Sequence, residues 1–270
     1  MPYPRIVARV KTKNLRAEVW ANGVPVVMLM PGDADVPIAL PLNEMLSTGR
    51  NTLSVTLHSA PLPSRYAAPW MDDPAAASYR GAASLELRLA EYSPDETLEA
   101  EPPAIASLDW QGMAEARPVE LTKDLDITAP LGPWAWQRAT KFAELNDAVR
   151  APAIAYLTSI QAALAAGRFD EFEAQAGIKL DEMSEAYGIS SGPVRASLRQ
   201  VLEDHSVEPW KLLPLEPSGI DLRLVAGGRM LDCQRLDRRH VFLFRNSDTG
   251  NTFFLPFMIG LLNGTWKALR

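Results

Sequence analysis

Apolar and polar side chains alternate over much of the first 130 residues, the period of strands that bury one face. Ile6, Ala8 and Val10 alternate with Val7, Arg9 and Lys11; Leu53, Val55 and Leu57 alternate with Ser54, Thr56 and His58. Leu85, Leu87 and Leu89 alternate with Glu86 and Arg88, and Val119, Leu121, Leu125 and Ile127 with Glu120, Thr122, Asp124 and Asp126. Between two further runs lies Asn22-Gly23, the dipeptide of a two-residue hairpin turn. That turn pairs Ala21 with Val24, Val19 with Val26, Ala17 with Met28 and Leu15 with Met30. The same register puts Arg16, Glu18, Trp20, Val27 and Leu29 on the opposite, outer face. One dry and one wet face per strand predicts antiparallel sheets packed face to face, a sandwich of roughly seven strands.

Pro130-Leu131-Gly132-Pro133 ends the alternation, and helical spacing replaces it. One helix is predicted over 134–149. A second begins at Pro152, carries Ile154, Leu157, Ile160 and Leu164 on one face, and ends at Gly167. Leu180, Met183 and Tyr187 form a third stripe, with Asp181, Glu182 and Glu185 facing out. Gly192-Pro193 opens a fourth helix that turns Val194, Leu198, Val201 and Leu202 to the core. After Gly219 the pattern returns to strands. A turn at Asp237-Arg238 pairs Arg235 with His240, Cys233 with Phe242 and Leu231 with Phe244, and leaves Asp232 diagonal to Arg245. The expectation is a two-domain chain, an all-β sandwich over 1–130 followed by an α+β domain over 131–270 with helices packed on an antiparallel meander.

Charge changes the picture more than composition does. The chain has 270 residues, 47% of them hydrophobic, and a net charge of −6. From Asp72 to Asp126 it holds 13 acidic residues against 4 basic; from Arg223 to Arg270 it holds 8 basic against 3 acidic. An acidic surface argues against nucleic acid or an anionic membrane as partner and favours a basic protein. The start, Met1-Pro2-Tyr3-Pro4-Arg5, lacks the apolar stretch of a signal peptide, so the expected location is cytoplasmic. A lone cysteine, Cys233, excludes an internal disulfide framework and a multi-cysteine zinc site.

Two stretches carry family likenesses. Trp20-Ala21-Asn22-Gly23-Val24-Pro25-Val26, Pro41-Leu42-Asn43-Glu44-Met45-Leu46 and Gly49-Arg50-Asn51-Thr52-Leu53-Ser54-Val55 together resemble the galactose-binding-type jelly roll. The resemblance implies a jelly-roll-like sandwich and the sugar binding of glycoside hydrolase accessory modules. Leu164-Ala165-Ala166-Gly167-Arg168-Phe169 and the closing Asn263-Gly264-Thr265-Trp266-Lys267 look like the NTF2-like fold. That family includes enzymes, ligand binders and dimerisation modules.

The candidate chemistry is sparse. There is no Gly-rich phosphate loop, no HExxH and no Gly-x-Ser-x-Gly elbow. Tyr66, Trp70, Asp72 and Asp73 share a proline-rich loop, where rings beside carboxylates could hold a sugar or equally plug one end of the sandwich. Trp20, Val27 and Leu29 form an apolar outer cluster, a partner site if it is exposed. Asp95, Glu96, Glu99 and Glu101 make an acidic excursion. His58 reads as solvated, His205 as a helix cap and Cys233 as an inert core thiol. His240 is the acid/base candidate, with Arg235 beside it to depress its pKa. No cofactor or metal is implied. The leading expectation is a non-enzymatic protein that binds a partner through its acidic β half, as an inhibitor or immunity-type factor would. The alternatives are a carbohydrate-binding module and an NTF2-like small-molecule binder or enzyme with a pocket beside Arg235 and His240.

Overall fold

The computed structural model describes residues 3–29, 37–58, 81–93, 96–114, 119–237 and 239–270. Two compact units divide the chain at Pro133 and Trp134, the first all-β and the second α+β.

The first unit contains β1 (Arg5–Lys13), β2 (Arg16–Ala21), β3 (Val24–Leu29), β4 (Ile38–Pro41), β5 (Gly49–His58), β6 (Ala82–Tyr92), β7 (Ala104–Met113) and β8 (Val119–Ile127). They form two antiparallel four-stranded sheets, ordered β4-β1-β6-β7 and β3-β2-β5-β8. Period-2 patterning sorts the faces as the sequence requires. Ile6, Ala8, Val10, Val19, Ala21, Leu53, Val55, Leu87 and Leu89 are all buried, while Glu86, Arg88, Glu120, Asp124 and Asp126 are exposed.

The hairpin turn is as expected, with Asn22 and Gly23 both at positive φ (52° and 71°), but the register changes beyond it. Ala21 pairs with Val24 and Trp20 with Pro25; Val19 then pairs with Val27 and Ala17 with Leu29, leaving Val26 as the extra residue of a β-bulge. This corrects the outer-face cluster. Val27 and Leu29 share the inner face with Val19 and Ala17, and Leu29 is buried, so of the three only Trp20 stays on the outer face. Strand β3 is a sheet edge. There a proline costs no ladder bond and a bulge blunts the edge against further pairing.

The asparagines of the jelly-roll-like stretches act as turn staples. Asn51 Oδ1 accepts from Ser47 N (2.9 Å) and Asn22 Nδ2 (2.8 Å), and its amide donates to the carbonyls of Ser47 and Gly49, each at 2.7 Å. Asn22 also accepts from Thr52 N and donates to the Met45 carbonyl. Asn43 is buried between Ile6 N and the Pro4 carbonyl, both at 2.7 Å. These residues therefore satisfy buried backbone, a role in the fold.

The second unit contains α1 (Ala135–Arg138), α2 (Asp147–Ala165), α3 (Phe169–Tyr187) and α4 (Ser191–Asp204), then β9 (Trp210–Leu212), β10 (Ile220–Val225), β11 (Met230–Arg235), β12 (Phe242–Asn246), β13 (Thr252–Leu255), β14 (Met258–Leu262) and β15 (Thr265–Ala268). The long helix expected over 134–149 is replaced by one turn, α1, and an irregular stretch. Helix α2 starts only where Asn146 caps it, its side chain accepting from Val149 N at 3.2 Å, so Pro152 lies one turn inside.

The strands are antiparallel, as expected, and are divided between two sheets, β10-β11-β14-β15 and β13-β12-β9. The β11–β12 pairing expected across Asp237-Arg238 does not form. Strand β11 is flanked by β10 and β14, so β12 leaves after one bridge, Gln234 to His240, and pairs with β9 and β13. Arg238 lies outside the described residues. With β12 gone, Asp232 lies opposite Arg223 rather than diagonal to Arg245. Glu182, expected to face out, is buried. Its carboxylate accepts from Arg270 Nη1 at 2.8 Å and from the backbone amide of Ala135, tying α3 to α1 and to the strand end.

Candidate functional site

Helix α4 is the least buried of the long helices, and a cleft lies between it and α3. Of its apolar stripe Leu202 is fully buried, and Val194 and Leu198 are half-buried and pack against the same core, as expected; Val201 is also half-buried. Val194, Leu198 and Val201 form one wall of a cavity of about 610 Å3, within the range of small-molecule sites. Leu180 and Met183 of α3 form the opposite wall, and Phe172 with Phe257 the floor.

Two sets of contacts hold this shape. The floor is a packed aromatic cluster: Phe242 meets Phe257 edge-on at 4.9 Å between centroids and Phe172 meets Phe242 edge-on at 6.5 Å. On the flank, α4 is held to α3 by ion pairs. Arg195 reaches Asp181 at 2.7 Å, and Arg199 reaches Glu173 at 2.7 Å and also Asp170. The carboxylates between these helices are thus spent on arginines. Lys179 is the one charged residue lining the cavity among the described residues, and its Nζ donates to the Pro256 carbonyl at 2.9 Å.

His240 and Arg235 have different roles from those expected. Neither lines the cavity. His240 stacks on Phe254 (centroids 4.2 Å apart, planes 11°), and burial pushes its pKa down to about 4, with Lys179 adding to the fall. The second contributor is therefore Lys179 rather than Arg235. Arg235 is a latch, donating to the backbone carbonyls of Pro214 (2.7 Å), Leu213 (2.9 Å) and Val241 (3.1 Å). His205 ends α4, its Nδ1 2.8 Å from the Val201 carbonyl and its ring between Trp210 and Phe253. Burial raises the Cys233 thiol pKa well above its usual value, which suits a core residue.

Asp232, like Glu18 and Glu182, is a buried acid that the sequence pattern places on a polar face. Asp232 has its pKa raised to about 6, first by burial, against the pull of Arg223; Gln234 Nε2 donates to it at 3.0 Å. Its position on a nominally polar strand face hid this, because only the packing decides which polar faces are covered.

In the sandwich, Tyr66, Trp70, Asp72, Asp73 and Asp95 lie outside the described residues. Glu96 is drawn into its own turn. Its carboxylate accepts from Ser93 N at 2.5 Å and its carbonyl from Arg5. Glu99 and Glu101 are exposed, Glu101 lying 3.9 Å from Arg9. The neighbouring outer face of β1 and β6 carries mixed charge around a cavity of about 310 Å3: Arg9 stands opposite Arg88 and Lys11 opposite Glu86, with Glu86 3.0 Å from Arg88. The basic half of this arrangement shows in the alternation Arg9-x-Lys11-x-Lys13; the pairing with Glu86 depends on strand register and does not. His58 is buried rather than solvated, with Nε2 3.5 Å from Glu18 Oε1.

Among the described residues no group of three or more His, Cys, Asp or Glu is placed to hold a metal, and no helix is long and apolar enough to cross a membrane. Comparison with known protein families, with characterised proteins and with solved structures finds no match to this chain.

Proposed function

We propose that the protein acts by binding, and that its α+β half binds a ligand with an apolar body in the cleft between α3 and α4. One observation carries the reading: a cavity of about 610 Å3 lined by half-buried Val194, Leu198 and Val201 together with Phe172 and Phe257. Filling it would remove from water the part of that lining still exposed, at a gain of roughly 25 cal/mol per Å2. The NTF2-like likeness belongs to this proposal, since helices over antiparallel strands around an apolar cavity suit a small-molecule binder. The test is titration of the full chain with a neutral apolar dye such as Nile red. Saturable binding should weaken at least ten-fold in Leu198→Glu and Val194→Glu, which place a charge in the cleft, with an unchanged melting temperature required of each variant because both residues also touch the core. Binding unchanged by both substitutions would sink the reading.

A second reading keeps the sandwich, jelly-roll-like in this proposal, as a surface for a basic protein partner. It is supported by Glu120, Asp124 and Asp126, which stand exposed along edge strand β8, although Arg50 already pairs with Asp124 at 2.6 Å. Capture of a basic partner should be lost on raising salt and in the Glu120→Lys, Asp126→Lys double variant. Capture indifferent to both would remove it.

A further inference from the structure

Of the four sheet edges in the first unit, three are guarded against further pairing and one is open. Strand β3 carries Pro25 and a bulge, β4 has four residues and ends at Pro41, and β8 holds Glu120, Lys123, Asp124 and Asp126 exposed. Each device discourages the addition of another strand. Strand β7 has none of them. At ten residues it is the longest edge strand among the described residues, and Asp109 is its one charge. It contains no proline or lysine, and its bulge, at Ile105, lies at the very start. Among the described residues only β6 pairs with it. We infer that the free edge of β7 pairs antiparallel with the same strand of a second copy, joining two four-stranded sheets into one.

The register selects the occupant. Side chains of β7 alternate, with Ala106 and Leu108 buried on the inner face and Ser107, Asp109 and Gln111 exposed on the outer one. Two copies paired about a two-fold axis must set each face against the same face. Centred on Leu108 or on Asp109, such a pair overlaps nearly the whole strand. An axis at Asp109 would put that carboxylate directly against its own mate, which is unfavourable. An axis at Leu108 sets Leu108 against Leu108, Ala106 against Trp110, and Asp109 against the hydroxyl of Ser107. No like charges then meet, the hydroxyl can donate to the carboxylate, and each indole meets a small residue. The strand is well ordered for this role. Its ladder to β6 runs from Ala104 to Met113, and the Trp110 ring covers Gly112, where a Cβ would run into it. Ile105 and Met113, both large apolar side chains left exposed, flank the seam and add burial when it closes.

The experiment is analytical ultracentrifugation of the full chain over a concentration series, with substitutions at the exposed Ser107. The wild type should show a weak, concentration-dependent dimer. Ser107→Asp, which sets two carboxylate pairs face to face across the seam, should weaken it roughly ten-fold, whereas Ser107→Lys, facing Asp109 at both, should tighten it several-fold. A folding defect does not produce opposite signs at one position. A mixture of Ser107→Cys and Asp109→Cys chains should oxidise to the mixed disulfide and to neither homodimer, because only those two positions stand opposite each other. Cys233 is buried and does not compete. A chain that stays monomeric at every concentration would overturn the pairing and leave the edge to a foreign strand. A dimer indifferent to both Ser107 substitutions, or one that crosslinks equally in the homodimers, would place the contact elsewhere and refute it as well.

Discussion

Asn51 shows how much of this fold rests on individual polar side chains. It is 1% exposed, and its amide group serves Ser47, Gly49 and Asn22 together, so alanine there would strand several buried backbone groups. Asn51→Ala should cost about 2–3 kcal/mol, read as a lower denaturant midpoint for the sandwich; a loss under about 0.5 kcal/mol would refute the stapling role. Asp232 and His240 carry opposite pH signatures. Asp232 has a folded pKa of about 6, above its ordinary value of 3.8, so its contribution is full below pH 4 and is lost as pH rises through 6. Asp232→Asn should therefore stabilise the α+β half by about 1–3 kcal/mol at pH 8 and by little at pH 4. Destabilisation at both would mean that Arg223 needs the carboxylate. His240 has a folded pKa of about 4, below its ordinary 6.5, so its contribution is present above pH 6.5 and lost as pH falls toward 4. A His240→Phe variant keeps the stack on Phe254 and should lose less stability than the wild type across that window.

At the scale of elements, the sequence reveals what repeats locally and hides what depends on neighbours. Strands β5, β6 and β8 are legible because each buries one face and alternates. The Asn22-Gly23 turn is legible because its backbone demands those residues, but the bulge at Val26 is not. Both neighbours of Val26 are apolar, so a one-residue slip leaves the hydrophobic pattern of β3 intact. The β11–β12 hairpin fails for another reason. Its local pattern was adequate, yet β10 and β14 take both edges of β11, a long-range competition that spacing does not encode. The candidate cleft was half legible. Val194, Leu198, Val201 and Leu202 form a visible stripe, but a stripe has the same period whether it is buried or left as a wall. Close approach is equally silent in sequence. Gly228, at φ +89°, receives the Phe142 amide on its carbonyl at 2.9 Å, and a Cβ there would run into the Phe142 carbonyl oxygen. Gly228→Ala should cost about 2–4 kcal/mol through both strain and overlap; a melting temperature unchanged within error would contradict that packing.

Across the molecule, formal charge is a poor guide to surface. The acidic total of the β half conceals an outer face where Arg9 and Arg88 are set against Glu101 and Glu86, and part of the remaining acidity is consumed by Arg50 and by turn hydrogen bonds. In the α+β half the arrangement is cleaner, because its charges are paired on the helix flank and its concavity is apolar. The binding role proposed for the protein rests on that concavity. Methyl-resolved NMR of the full chain, with Nile red added to saturation, tests it most directly. The account predicts shifts concentrated at Ile189, Val194, Leu198, Val201 and Leu180, with the sandwich methyls of Val7, Val55 and Leu108 unmoved. Shifts centred on the sandwich, or none on α4 at saturation, would contradict it.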